Sequence, residues 1–333
     1  MGLKGKGKQW VTAASMMSAL LSGLCSTTAM ADEAFSVCTS QLANKALEQG
    51  VSQDTVDTIF PSLVYQARVI ELDRSQPEFV QTFPGYFSKR VTDWRTNKGK
   101  EMYEKHKDLL HKLSDKYGVP PHYLLAFWGL ETNFGNYKGK MPVLDSLATL
   151  ACDPRRSEYF TQELLVAVKL FERESLTREE MVGSWAGAMG HTQFMPSAYT
   201  HYAVDGDNDG QINLWNSEED ALTSAANFLA SLGWQRGFRW GREVQLPENF
   251  DYQLSGYKNR RTLSQWSELG VKQADASPLG DDDTKAYVVV PAGHAGPAFV
   301  GYQNFRVIMR WNNSEFYAIA VGVLADRISG CLL

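Results

Sequence analysis

The order in which periodicities fall along the chain restricts its fold more than any other feature. From Phe35 to Tyr137 apolar residues recur at helical spacing, and strand-like runs come only late. Leu42, Ala46 and Leu47 share a face before Gly50. Val56, Ile59 and Phe60 close a short helix at Pro61, and Tyr103, Leu109, Leu110, Leu113 and Tyr117 predict a longer helix that stops at Gly118. Pro120-Pro121 then opens another, since first-turn amides need no partner there. Helical patterns return over Ser157–Arg173, Glu218–Leu232 and Glu315–Ile328. The strand-like runs are Glu243–Leu246, Tyr287–Val290 and Arg306–Trp311, among segments rich in Gly, Pro and Asp, which predicts one small antiparallel sheet on a helical body. The expected class is α+β, mainly helical, with a cleft between lobes.

A length of 333 residues exceeds one small core and suggests two lobes or one large domain with insertions. Lys and Arg number 33 against 38 Asp and Glu, a net charge of −5. No nucleic-acid partner is expected, because such binding needs a basic stripe to displace counterions. A mean hydropathy of −0.31 excludes a polytopic membrane protein.

The first thirty-one residues have the layout of an export signal. Lys4, Lys6 and Lys8 precede a charge-free stretch that ends in Ala29-Met30-Ala31, just before Asp32-Glu33. Its Ser and Thr content is high for a spanning helix, so a cleaved signal over residues 1–31 is expected rather than an uncleaved anchor. Cys25 would leave with it. Cys38, Cys152 and Cys331 remain, with no zinc-like spacing. An oxidising compartment allows one disulfide and one spare thiol. Cys38–Cys152 with Cys331 free is the favoured pairing, although spacing alone does not choose it, and three buried thiols are the alternative.

Two segments carry chemistry. In PHYLLAFWGLETNF (121–134), Leu124, Phe127, Trp128 and Glu131 lie at i, i+3, i+4 and i+7, which places a carboxylate on an apolar stripe. Such a group must be paired or protonated. Near a helix end, before Asn133 and Gly135, it can meet a cleft, where a protonated Glu suits general-acid cleavage of a glycosidic bond. A Glu turned to solvent, or paired with a buried Arg, is the plain alternative. In SWAGAMGHTQFMPSAY (184–199), small residues allow close backbone approach. Gln193 offers donors and an acceptor to sugar groups, and Phe194 and Tyr199 offer flat faces.

With GLETNFGNYKGKMPVLDSLATL (129–150), DPRRSEYF (153–160), YAVDGDNDGQINLWNSEEDA (202–221) and RWNNSEFYAIAV (310–321), these segments resemble, in order, the membrane-bound lytic murein transglycosylase B family. The resemblance spans nearly all of residues 32–333. It implies a lysozyme-like core with an additional helical lobe and a small β lobe, in one catalytic region. It also implies an enzyme that cleaves the β-1,4 bond between N-acetylmuramic acid and N-acetylglucosamine in peptidoglycan. Glu131 would protonate the glycosidic oxygen, then take the C6 hydroxyl proton as that oxygen closes on C1 to a 1,6-anhydro end. Other glycosidases keep a second carboxyl at roughly 5–10 Å, for which Asp145, Asp153 and Glu158 are available. Ser184 matches a serine that hydrogen-bonds the glutamate, Gln193 and Phe194 a sugar-binding pair, Asn312 an active-site asparagine, and Tyr317 and Tyr86 groove aromatics. Trp311 and Phe228 stand where the family has Tyr. Arg155 and Arg156 would hold a peptide stem or form a structural ion pair. A hydrolytic muramidase and a non-catalytic murein-binding scaffold are the rival readings.

Asp205, Asp207 and Asp209, followed by Gly210, alternate like the start of a calcium loop, with Gln211 supplying a carbonyl. The twelfth position is Asn216 rather than Glu, and the family closes this loop later, for which Asp220 matches and Glu219 is the alternate. A structural Ca2+ and no catalytic cofactor are therefore expected. The expected compartment is the periplasm and the expected form a monomer on glycan strands, with cell-wall synthesis proteins as candidate partners. The last helical pattern runs nearly to Leu333, so no further murein-binding repeat is expected.

Overall fold

The computed structural model describes residues 22–75, 81–174 and 176–330. Expectations about residues 1–21 and Cys331 lie outside these, and the expected cleavage point after Ala31 falls inside the first helix, Ser22–Glu48. Most predicted helices are present at close to the expected bounds, notably Gln53–Ile59, Pro121–Thr132, Ser157–Arg173, Glu218–Ser231 and Glu315–Ser329.

The helices pack around two apolar clusters. In the first, Glu315–Ser329 lies along Pro121–Thr132, with Phe83–Arg90, Asp93–Lys105 and Lys107–Tyr117 around them. In the second, Val143–Ala151 lies along Ser157–Arg173 beneath the N-terminal helices. Cys38 and Cys152 form a disulfide that ties the first helix to the end of Val143–Ala151. Trp311 packs against both clusters, so the seam between them runs through its side chain.

Three departures from the sequence reading have physical causes. Residues 121–132 do not form a one-sided stripe: Tyr123 through Leu130 are all buried, and a helix apolar all round belongs in the core. The predicted helix through Tyr103 and Tyr117 is two helices, broken at His106, whose φ of −111° and ψ of 18° leave the helical region. Its imidazole lies 3.0 Å from a Glu218 carboxylate oxygen. Arg306–Trp311 is not a strand but the end of the helix Gln303–Trp311. Asn304, Phe305, Val307 and Ile308 form its buried face, at i, i+1, i+3 and i+4.

The strands are β1 (Met141–Pro142), β2 (Val182–Gly183), β3 (Gly241–Gln245), β4 (Arg261–Thr262), β5 (Lys272–Gln273), β6 (Lys285–Val289) and β7 (Ala298–Gly301). β1 and β2 pair beside the 184–195 loop, and the others form one five-stranded antiparallel sheet in the order β4-β6-β7-β3-β5. The sheet has its own apolar cluster around Trp266 and Val300.

Candidate active site

Pro121–Thr132 ends where Asn133 takes a left-handed φ of 51° and its amide reaches the Gly129 and Trp128 carbonyls. Glu131 is half-buried, one residue after the fully enclosed stretch, and meets an open cavity of about 980 Å3. Its Oε1 accepts from the Trp311 indole N–H at 2.9 Å and from the Tyr317 hydroxyl at 2.5 Å. Burial and the adjacent Glu131 push the Tyr317 hydroxyl well above its ordinary pKa, so it stays a donor. Both donors fall on the same oxygen, Oε1.

Trp311 rests on an aromatic bed. Phe127 lies 4.6 Å from it between centroids, Phe228 5.1 Å and Phe194 5.4 Å. Phe194 is 2% exposed and neither it nor Phe228 lines the cavity, so both support Trp311 from below rather than offering a face themselves. The lining does include Ser184, Gln193, Asn312, Tyr317, Trp311, Tyr86 and Arg156.

The 184–195 loop is held from within. Ser184 Oγ accepts from the Ala186 and Ala188 amides at 3.3 and 3.1 Å, and a hydroxyl with its lone pairs so used presents its proton. Gln193, at a left-handed φ of 51°, donates both Nε2 protons to the Lys138 and Gly190 carbonyls at 3.1 and 2.9 Å. Its donors are thus spent on the loop, and Oε1 is the group it can offer a ligand. His191, buried and missed by the sequence reading, anchors the loop to the Glu131 helix. Its Nδ1 accepts from the Trp128 indole at 3.1 Å and its carbonyl from Thr132 Oγ1 at 2.8 Å. A Cβ on Gly135 would lie 2.3 Å from the imidazole, so this turn needs glycine. Burial, with Lys138 nearby, pushes the His191 pKa down to about 4.

Arg155 and Arg156 both converge on Asp73, which is 3% exposed. Arg155 donates Nε to Asp73 Oδ2 at 2.9 Å and does not line the cavity, whereas Arg156 reaches its edge. The ion pair foreseen as an alternative is therefore what the fold builds. Arg90, Tyr159 and Trp185 also line the cavity and were not singled out in sequence, where nothing marks them except their residue type.

The acidic loop brings Asp205, Asp207 and Asp209 together, with one carboxylate oxygen of each within 4.8 Å of the others. Gln211 lies two residues on, its amide donating to Asp209 Oδ1 at 2.8 Å. Asp220 does not join them. Its oxygens accept from the Gly206 and Asn213 amides at 2.7 and 2.6 Å, because it is buried at the start of Glu218–Ser231 and braces the loop ends. Glu219 lines a separate cavity with Asp207 and Glu218.

A mainly helical body with a small sheet, opening at the seam of two cores onto one carboxylate clamped by an indole and a phenol, is of the lysozyme-like transglycosylase class. A family model described as the transglycosylase SLT domain matches residues 34–326, and the chain belongs to that family. It is 35% identical to the membrane-bound lytic murein transglycosylase B of Escherichia coli K12, in an alignment covering 73% of this chain and 66% of that protein, just under two thirds of the relative's length. SltB3 from Pseudomonas aeruginosa, in complex with NAG-NAM-pentapeptide, superposes with a TM-score of 0.83 at 40% identity, covering 89% of this chain and 80% of that one. Slt35 from Escherichia coli, in complex with calcium, does so with a TM-score of 0.76 at 30% identity, covering 88% and 92%. The mainly helical α+β class with a lysozyme-like core is thus as expected. Among the described residues no helix is long and apolar enough to cross a membrane.

Proposed function

We propose that the chain is an exported lytic transglycosylase that cleaves the β-1,4 bond between N-acetylmuramic acid and N-acetylglucosamine in peptidoglycan and leaves 1,6-anhydromuramyl ends. The carrying observation is the clamp of Trp311 and Tyr317 on Glu131 Oε1 at the cavity. Glu131 delivers its Oε2 proton to the glycosidic oxygen. The resulting carboxylate is steadied by both donors and takes the proton of the muramyl C6 hydroxyl as that oxygen bonds C1. Nothing is hydrolysed, so no water enters and no second carboxylate is required. In support, Asp145 is bonded to Arg178, Asp153 to Arg74, and neither they nor Glu158 line the cavity. Glu315, the other carboxylate on the lining, sits beside the Tyr257 hydroxyl. Ser184 aims its proton at the glutamate, Gln193 Oε1 and Asn312 take sugar groups, and Trp311, Tyr317 and Tyr86 wall the groove. Residues 32–333 are one catalytic region acting in the periplasm on glycan strands.

Three clustered carboxylates and no softer donor suit a hard divalent cation. Asp205, Asp207, Asp209 and the Gln211 carbonyl would hold Ca2+, which supplies a cross-link within the loop and takes no part in proton transfer. Digestion of purified sacculi by residues 32–333, wild type and Glu131→Gln, tests the activity by mass spectrometry. Muropeptides one water lighter than lysozyme products, absent with Glu131→Gln, are expected. Full-mass reducing ends would mean a hydrolase, and sacculi bound but uncut by both would mean a scaffold.

A further inference from the structure

The cavity around Glu131 has two guanidinium groups on its lining, and they differ in kind. Arg156 shares the buried Asp73 with Arg155, one carboxylate against two guanidinium groups. Arg90, the last residue of the helix Phe83–Arg90, makes no ion pair with a carboxylate among the described residues. Its guanidinium instead lies over the Tyr86 ring, 5.2 Å from the centroid, and the buried Tyr86 lines the same cavity. Stacking on a fixed ring limits the side chain's freedom and leaves the edge of the planar fork, where its donors lie, available to a planar anion. Among the described residues, the carboxylates on the lining are Glu131 and Glu315, engaged by Tyr317 with Trp311 and by Tyr257. An anionic ligand entering this cavity therefore finds in Arg90 a guanidinium that no carboxylate among the described residues holds.

We infer that Arg90 is a specificity-determining residue that binds a carboxylate on the peptide stem of the muramyl substrate. This rests on the proposed function. A glycan strand without peptides is neutral apart from any free lactyl carboxylates, whereas a pentapeptide ends in a carboxylate. A charge-assisted, bidentate contact fixes both the position and the orientation of such a group. Arg90 thus joins Arg156 on the lining, whereas Arg155, for which the sequence pattern suggested the same task, is held on Asp73 away from the cavity.

Calorimetry on Glu131→Gln, with and without Arg90→Met and Arg90→Lys, tests this with three probes: NAG-NAM-pentapeptide, NAG-NAM with its free lactyl carboxylate, and a neutral oligomer of N-acetylglucosamine. Methionine keeps an unbranched stem over Tyr86 and removes the charge. The expected result is a loss of about tenfold in pentapeptide affinity with Arg90→Met, partly recovered by Arg90→Lys, and a change under about twofold for the neutral oligomer. A loss confined to NAG-NAM would put the contact at the lactyl carboxylate and overturn the stem assignment. Equal losses on all three probes, or none on the pentapeptide, would overturn the inference altogether. Sacculus cleavage by the wild type is scored separately, so a failure of the proposed function reads out as no cleavage, whatever Arg90 does.

Discussion

The His191 ring adds to the junction between the loop of Ser184 and Gln193 and the helix of Glu131 only while it is neutral, and that makes the junction acid-sensitive. An indole N–H can only donate, so the 3.1 Å contact from Trp128 Nε1 requires an unprotonated Nδ1. Protonation would set two N–H groups against each other in a buried site beside Lys138. The ring's pKa falls from an ordinary 6.5 to about 4 in the folded chain. A depressed histidine binds fewer protons folded than unfolded, so its contribution is intact above pH 6.5 and lost as pH falls through 4. The two values imply a loss of about 2 kcal/mol by pH 5 and roughly 3 kcal/mol below pH 4 from this residue. His191→Asn keeps an acceptor near the position of Nδ1 and cannot titrate. Urea unfolding at pH 7 and pH 5 should show the wild type losing about 2 kcal/mol more than the variant over that interval. His122, which burial also pushes down to about 4, remains in both and cancels. Equal losses in the two proteins would refute the reasoning, whatever constant offset the substitution adds at pH 7.

Tyr317→Phe removes a 2.5 Å donor to Glu131 Oε1 while keeping the ring, and kcat on soluble glycan strands should fall about ten- to hundredfold, as measured by anhydro-product formation. Cys38→Ser with Cys152→Ser frees a loop of 114-residue separation, and urea unfolding should show a loss of up to about 5 kcal/mol. Calcium titration by calorimetry should give one site in the wild type and none in Asp209→Ala; no binding to either would remove the metal assignment.

How far the site was legible depends on whether a residue's role follows from local pattern or from what folding sets beside it. The end of the Glu131 helix and the convergence of Asp205, Asp207 and Asp209 were foreseen from short-range spacing, and the Cys38–Cys152 disulfide is the pairing that was favoured among few options although spacing did not choose it. The strand expected at Arg306–Trp311 failed because five or six apolar-rich residues fit either period. Asn304, one helical turn ahead of Ile308, decides for helix only through its buried bonds to Gln235 and Phe238, which lie far away in sequence. Arg155 and Arg156 illustrate the same limit. A pair of arginines beside a binding segment looks like a ligand clamp until the fold brings Asp73 under them, some eighty residues away. Gln193 kept its place but lost its donors, because Lys138 and Gly190 present carbonyls that no spacing rule foretells. In each of these cases the fold satisfies a buried or half-buried polar group with a distant partner before any ligand arrives. A side chain's value to a substrate is what remains after that, which is why Arg90, unremarkable in the sequence, is a guanidinium on the cavity that no carboxylate among the described residues holds.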